Sequence, residues 1–190
     1  MIKIGEKIKD FKFRAYHGGK DIEMKLSQFR GRWLILLFYP ADFTFICPTE
    51  LEEAADMYDE FKKLGVEIVS VSADTVFVHK AWHNESSAIK KIKFPMAADP
   101  TGKMCREFGT YIEEGEDEGL SLRGTFIIDP EQKLKAYEVH DNSIGRSAKE
   151  LLRKVQAAVF VRTHKGLVCP ASWEPGKKTL KPGMDLVGKI

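Results

Sequence analysis

Phe11, Phe13 and Ala15 alternate with polar neighbours, Gly18-Gly19 interrupts, and Ile22, Met24 and Leu26 resume the alternation. A period of two on either side of paired glycines predicts a β-hairpin. The next segment abandons the alternation. Trp33-Leu-Ile-Leu-Leu-Phe-Tyr39 is apolar throughout between Gly31 and Pro40, as a central strand buried on both faces requires. Beyond a short loop, Pro48 opens a helix whose Leu51, Ala54, Ala55, Tyr58, Phe61 and Leu64 share one face, closed by Gly65. Val66 to Val71 predicts a strand, Thr75 to Asn84 a helix, and Leu122 to Ile128 another strand, stopped by the turn Asp129-Pro-Glu-Gln132. Lys133 to Val139 returns as its hairpin partner. Ser147-Ala-Lys-Glu150 has the spacing of a capping box and starts a helix with the stripe Leu151, Leu152, Val155 and Val159. From there the texture changes: Gly166, Pro170, Pro175, Gly176, Pro182, Gly183 and Gly188 are too many breakers for a packed element. The expectation is an α/β fold with a mixed sheet, a main domain over residues 1–165 and an extended arm over 166–190.

Composition narrows the function classes. Of the 190 residues 43% are hydrophobic, enough for a full core, and 30 Lys and Arg against 28 Asp and Glu leave a net charge of only +2. That balance lacks the clustered basic excess of a nucleic-acid binder. The longest apolar run, Trp33 to Tyr39, is too short to cross a membrane. At the start of the chain, Met1-Ile-Lys-Ile-Gly-Glu-Lys-Ile8 sets charges between its apolar residues, which predicts no export signal and a cytoplasmic, thiol-reducing location. Glu113-Glu-Gly-Glu-Asp-Glu118, the one charge run, predicts a solvated loop. Cys47, Cys105 and Cys169 are odd in number and widely spaced, so they form neither a disulfide framework nor a CxxC pair.

Cys47 stands directly before Pro48, at a helix start, where unpaired backbone N–H groups and the positive dipole end favour an anion. A lone cysteine in such a place reads first as a small buried hydrophobe. Its surroundings decide. Phe38-Tyr-Pro-Ala-Asp-Phe-Thr-Phe-Ile-Cys-Pro-Thr-Glu50 fills every position of the pattern Pro, three residues, Thr, two residues, Cys, and so resembles the peroxidatic loop of the peroxiredoxins. Val168-Cys-Pro-Ala-Ser-Trp173-Glu-Pro-Gly176 resembles the resolving-cysteine segment of the typical two-cysteine members. Arg123-Gly-Thr-Phe-Ile-Ile-Asp129 is similar to the family strand that brings an arginine to the thiolate. Ser70-Val-Ser-Ala-Asp74 with His79-Lys-Ala-Trp82, and Lys181-Pro-Gly-Met-Asp-Leu-Val-Gly-Lys-Ile190, look like the bacterial alkyl hydroperoxide reductase C type.

The resemblance implies a thioredoxin-like fold and reduction of hydrogen peroxide and organic hydroperoxides, with neither metal nor flavin bound. It casts Cys47 as nucleophile, Thr44 and Arg123 as donors to sulfur and to the peroxide oxygens, and Pro40 as a shield against bulk water. Glu50 and Arg146 match positions that support the loop, although each alone reads as a surface charge. Cys169 takes the resolving role, attacking the Cys47 sulfenic acid across a homodimer, with dimers joined into a decameric ring. The donor that recycles the disulfide is left open among a flavoprotein disulfide reductase, thioredoxin and a glutaredoxin-like protein. Cys105, in Lys103-Met-Cys-Arg-Glu107, matches no catalytic position and reads as a packed bystander. His79 and His83, at i and i+4, have metal-gripping spacing but no third ligand, which favours an ordinary helix face. Two rivals stand beside the peroxidase: a thiol-disulfide oxidoreductase, which the Glu50 three places after Cys47 argues against, and a holdase chaperone, which can coexist with catalysis.

Overall fold

The apolar run forms strand β3 (Trp33–Phe38), in which all six residues are buried. Residues 2–190 are described in this computed structural model, and they fall into two units, one ending at Ala148 and the other running from Lys149 to Ile190. In the first unit β1 (Lys12–His17), β2 (Lys20–Lys25), β4 (Val66–Ser72), β5 (Met96–Ala98), β6 (Arg123–Ile128) and β7 (Leu134–His140) join β3 in one mixed sheet of order β2-β1-β5-β4-β3-β6-β7. β3 lies parallel to β4 and antiparallel to β6, and β4 lies parallel to β5. The β1–β2 hairpin pairs His17 with Lys20. Gly18 and Gly19 between them take φ of 57° and 80°, the two left-handed residues that a tight hairpin turn needs.

The helix expected over residues 48–64 is two helices, α1 (Cys47–Asp56) and α2 (Tyr58–Lys63). Met57, at φ −96° and ψ 1°, interrupts the dihedrals, yet the apolar spacing carries across, and Leu51, Ala54, Tyr58 and Phe61 are all buried. With no glycine or proline at 57, the break had no local signal. α3 (Val76–Glu85) follows Thr75 as expected. Two elements had gone unread: β5, only three residues long, and α4 (Lys103–Phe108), only six. α4 buries Met104, Cys105 and Phe108. The Phe108 ring sits 4.8 Å from Phe126 and 5.2 Å from Phe38, so it packs on the middle of the sheet.

The second unit carries α5 (Ala148–Thr163) from its second residue onward. Among the described residues after it, the chain makes a bridge between Val168 and Leu180 and one 3-10 turn over Met184–Leu186. Trp173, buried, lies 4.8 Å from the Phe160 ring and donates from Nε1 to Lys177 O at 3.1 Å. Among the described residues no helix is long and apolar enough to cross a membrane.

Candidate active site

At the end of β3 the Tyr39 N–H still reaches Val71 O on β4, at 3.0 Å. Pro40, buried and without an N–H, stops the ladder. The chain then turns toward α1, and the Thr44 hydroxyl donates to Ala41 O at 2.8 Å to close that turn. Phe43 within it has φ 55°, a left-handed conformation that costs a non-glycine residue about 1–3 kcal/mol.

Cys47 is the first residue of α1 and Pro48 the second, with Ile46 at the cap, one place along from the sequence expectation. The Cys47 side chain is fully buried. The register Leu37↔Thr125 brings the start of β6 to the end of β3, and there Arg123 Nη1 lies 3.5 Å from Cys47 Sγ. Gly124 makes this crossing possible: a Cβ there would stand 2.5 Å from Thr110 Cγ2, closer than packed carbon atoms allow.

Glu50, one turn after Cys47 on the buried face of α1, joins both arginines. It accepts from Arg123 Nη1 at 2.8 Å, from the Arg146 backbone N–H at 2.7 Å, and from Arg146 Nε and Nη2 at 3.0 and 2.9 Å. Arg123 Nε and Nη2 donate to Asn142 O, and Arg146 Nη1 donates to Gly124 O and Thr125 Oγ1. All three charged side chains are at most 4% exposed. Burial alone raises the Glu50 carboxyl, but the hydrogen bonds and charge of Arg146, with Arg123 behind them, hold it below the usual carboxylate range. Two guanidinium groups and one carboxylate leave one positive charge in excess beside the Cys47 sulfur.

Pro40, Thr44, Cys47, Glu50, Arg123 and Arg146 thus meet at one end of the sheet. Glu50 and Arg146 are not the surface charges that each alone suggested. Cys169 belongs to the second unit, where it is half-buried with Sγ 4.0 Å from Ala157 O. Cys105 is fully buried; burial first, and then the Asp99 carboxylate, push its thiol up to about 12. His79 and His83 part company: His79 is fully buried against Asp42, while the His83 ring meets the edge of Tyr16 at 5.2 Å. Asp42, whose only sequence signal was its place beside the Pro40 turn, is the polar residue that reading the sequence missed. No cluster of three metal-binding side chains occurs among the described residues.

Comparison with known proteins agrees with this geometry. The model of the AhpC/TSA family matches residues 4–137. Alkyl hydroperoxide reductase C of Salmonella typhimurium is 52% identical over 190 residues, covering the whole of both chains. The crystal structure of Enterococcus faecalis AhpC superposes with a TM-score of 0.84 at 44% identity, over 90% of this chain and 100% of that one. Plasmodium vivax 2-Cys peroxiredoxin, reduced, superposes with a TM-score of 0.89 at 32% identity, over 96% and 94%.

Proposed function

The chain belongs to the AhpC/TSA family and is a thiol-dependent peroxidase on a thioredoxin-like fold, and from that premise we propose how its residues divide the work. Cys47 Sγ attacks one oxygen of the hydroperoxide, the O–O bond breaks, and the sulfur is oxidised to sulfenic acid. The departing oxygen takes a proton and leaves as water or an alcohol. Arg123, with Nη1 at 3.5 Å from the sulfur, donates to the charge moving along that line. Thr44, whose own proton is held by Ala41 O, presents its lone pairs to the peroxide hydroxyl. Pro40 keeps bulk water from the sulfenic acid, and Glu50 with Arg146 fixes the Arg123 guanidinium. The observation that carries this reading is the buried Cys47 sulfur at the start of α1, against an arginine anchored by Asn142 O and Glu50.

Cys169 of the partner subunit then attacks the Cys47 sulfenic acid, releasing water and forming a disulfide. Disulfide sulfurs stand about 2 Å apart, so the fully buried Cys47 reaches a second thiol only if the first turn of α1 unwinds. A dithiol donor, a flavoprotein disulfide reductase or a thioredoxin-like protein, reduces the disulfide in the cytoplasm.

The pairing has a direct test. Wild type given one equivalent of peroxide per subunit should run as a covalent dimer on a non-reducing gel, which neither Cys47→Ser nor Cys169→Ser forms. Cys169→Ser should still consume one equivalent and then stall as sulfenic acid. Cys105→Ala should dimerise normally, because its thiol is sealed in the core; a dimer that depends on Cys105 overturns the pairing.

The homodimers assemble into a decameric ring when Cys47 is reduced and its loop is packed, and unwinding of α1 loosens the ring. Light scattering should give a larger mass for the reduced protein than for the oxidised one. Equal small masses in both states would remove the ring.

A further inference from the structure

A second buried polar cluster, unused by the cycle above, stands at the root of the Pro40–Ile46 loop. Asp42 receives the Tyr39 hydroxyl on Oδ1 at 2.7 Å and faces His79 Nδ1 from Oδ2 at 2.7 Å. The side chains of Asp42 and His79 are wholly shut off from solvent. His79 Nε2 lies 3.2 Å from Ala97 O on β5, which only accepts, so Nε2 carries a hydrogen. One further proton sits between Nδ1 and Oδ2, and the bond is complementary whichever atom holds it. The Asp42 backbone N–H donates to Asp74 Oδ2 at 2.9 Å, and Asp74 is fixed in turn by Ser72 Oγ at 2.7 Å. Side chains from the ends of β3 and β4 and from α3 therefore converge on one loop residue.

The next residue is the left-handed Phe43, and the one after it is Thr44. Phe43 is 55% exposed and its ring is 6.1 Å from that of Trp82, so its own packing does little to hold the strained backbone. Such strain persists where the surroundings over-determine it, and here they act through Asp42. We infer that Tyr39, Asp42 and His79 form a clamp that positions Thr44 for the peroxide step by holding the left-handed turn at Phe43. The inference rests on the peroxidase reading; the three residues act through Thr44 and touch no substrate.

The test exploits side-chain geometry. An asparagine amide nitrogen falls near the place of histidine Nδ1, and a glutamine amide nitrogen near that of Nε2. His79→Gln, which keeps the donor toward Ala97 O and loses the one toward Asp42, should lower kcat/KM for hydrogen peroxide by about 10–100-fold, the scale of a misplaced catalytic group. His79→Asn should lose distinctly less. Adding Phe43→Asn to His79→Gln should recover most of the loss, because asparagine enters the left-handed region more readily than phenylalanine. Hydrogen exchange at the Asp42 amide should quicken in His79→Gln and not in His79→Asn. Where His79→Gln does not fold, Tyr39→Phe, which removes only a hydroxyl, should show a smaller loss with the same recovery. Wild-type kcat/KM in His79→Gln, or equal losses in the two His79 variants with no recovery by Phe43→Asn, overturns the clamp. A wild type that consumes no peroxide would refute the peroxidase reading instead, and the Asp42 amide would still decide whether the clamp holds the loop.

Discussion

Cys47→Ser is expected to reduce peroxide turnover below about 1% of wild type, the scale of a lost nucleophile. The serine hydroxyl is not ionised near neutral pH, and its oxygen attacks peroxide oxygen poorly. Ionisation alone is not what makes sulfur effective. An ordinary thiol of pKa about 8.5 is roughly 3% thiolate at pH 7, so full ionisation gains only about 30-fold. Lowering a thiol pKa by about two units also returns roughly tenfold through weaker nucleophilicity, leaving a few-fold net. The greater part of the acceleration must come from donors aimed at charge on the departing oxygen, each worth about 10²–10³. Arg123 stays in place in Cys47→Ser, so the variant keeps that donor and loses only the attacker. Peroxide consumption with excess dithiol is the measurement, and residual turnover above about 1% would remove Cys47 from its role.

The parts of this site that the sequence displayed are those governed by local rules. A seven-residue apolar run bounded by glycine and proline has few alternatives to a central strand, and Cys-Pro at a helix start places the thiol without tertiary information. Glu50 shows the opposite case. It occupies a helix position that any surface carboxylate could fill, and its burial is decided by Arg123 and Arg146, 73 and 96 residues away. His79 was obscured for the same reason. Its spacing to His83 drew attention to the helix face, whereas its partner, Asp42, lies 37 residues upstream. β5 and α4 were invisible because three and six residues are too few for a period to show. β5 exists because β1 and β4 supply both of its ladders. The break at Met57 left the apolar spacing intact, so pattern alone read α1 and α2 as one helix. It matters for the proposed cycle, since the segment proposed to unwind belongs to a ten-residue helix and not to a longer one.

Glu50→Ala is expected to cost about 3–5 kcal/mol of stability at pH 7, the range for removing one partner of a buried ion pair. The carboxylate is 3% exposed and accepts four N–H groups. Without it, two guanidinium groups that are each 4% exposed lose their shared carboxylate. For a chain of this size the change corresponds to a fall of roughly 6–20 °C in Tm. The pH dependence has a definite sign. The folded Glu50 carboxyl is held below its ordinary range by Arg146 and Arg123 against the opposing effect of burial, so its contribution is present above the unfolded pKa of about 4.3 and is lost as pH falls through the folded value. The gap between wild type and Glu50→Ala should therefore be widest near neutrality and narrow as pH falls below about 4. Urea denaturation at both pH values reads it, and a difference under about 1 kcal/mol at pH 7 would mean that desolvation cancels the gain of the triad. Catalysis should suffer less than stability does. Arg123 keeps its two bonds to Asn142 O, so the guanidinium stays near the sulfur when Glu50 is gone, and only the direction of Nη1 is freed.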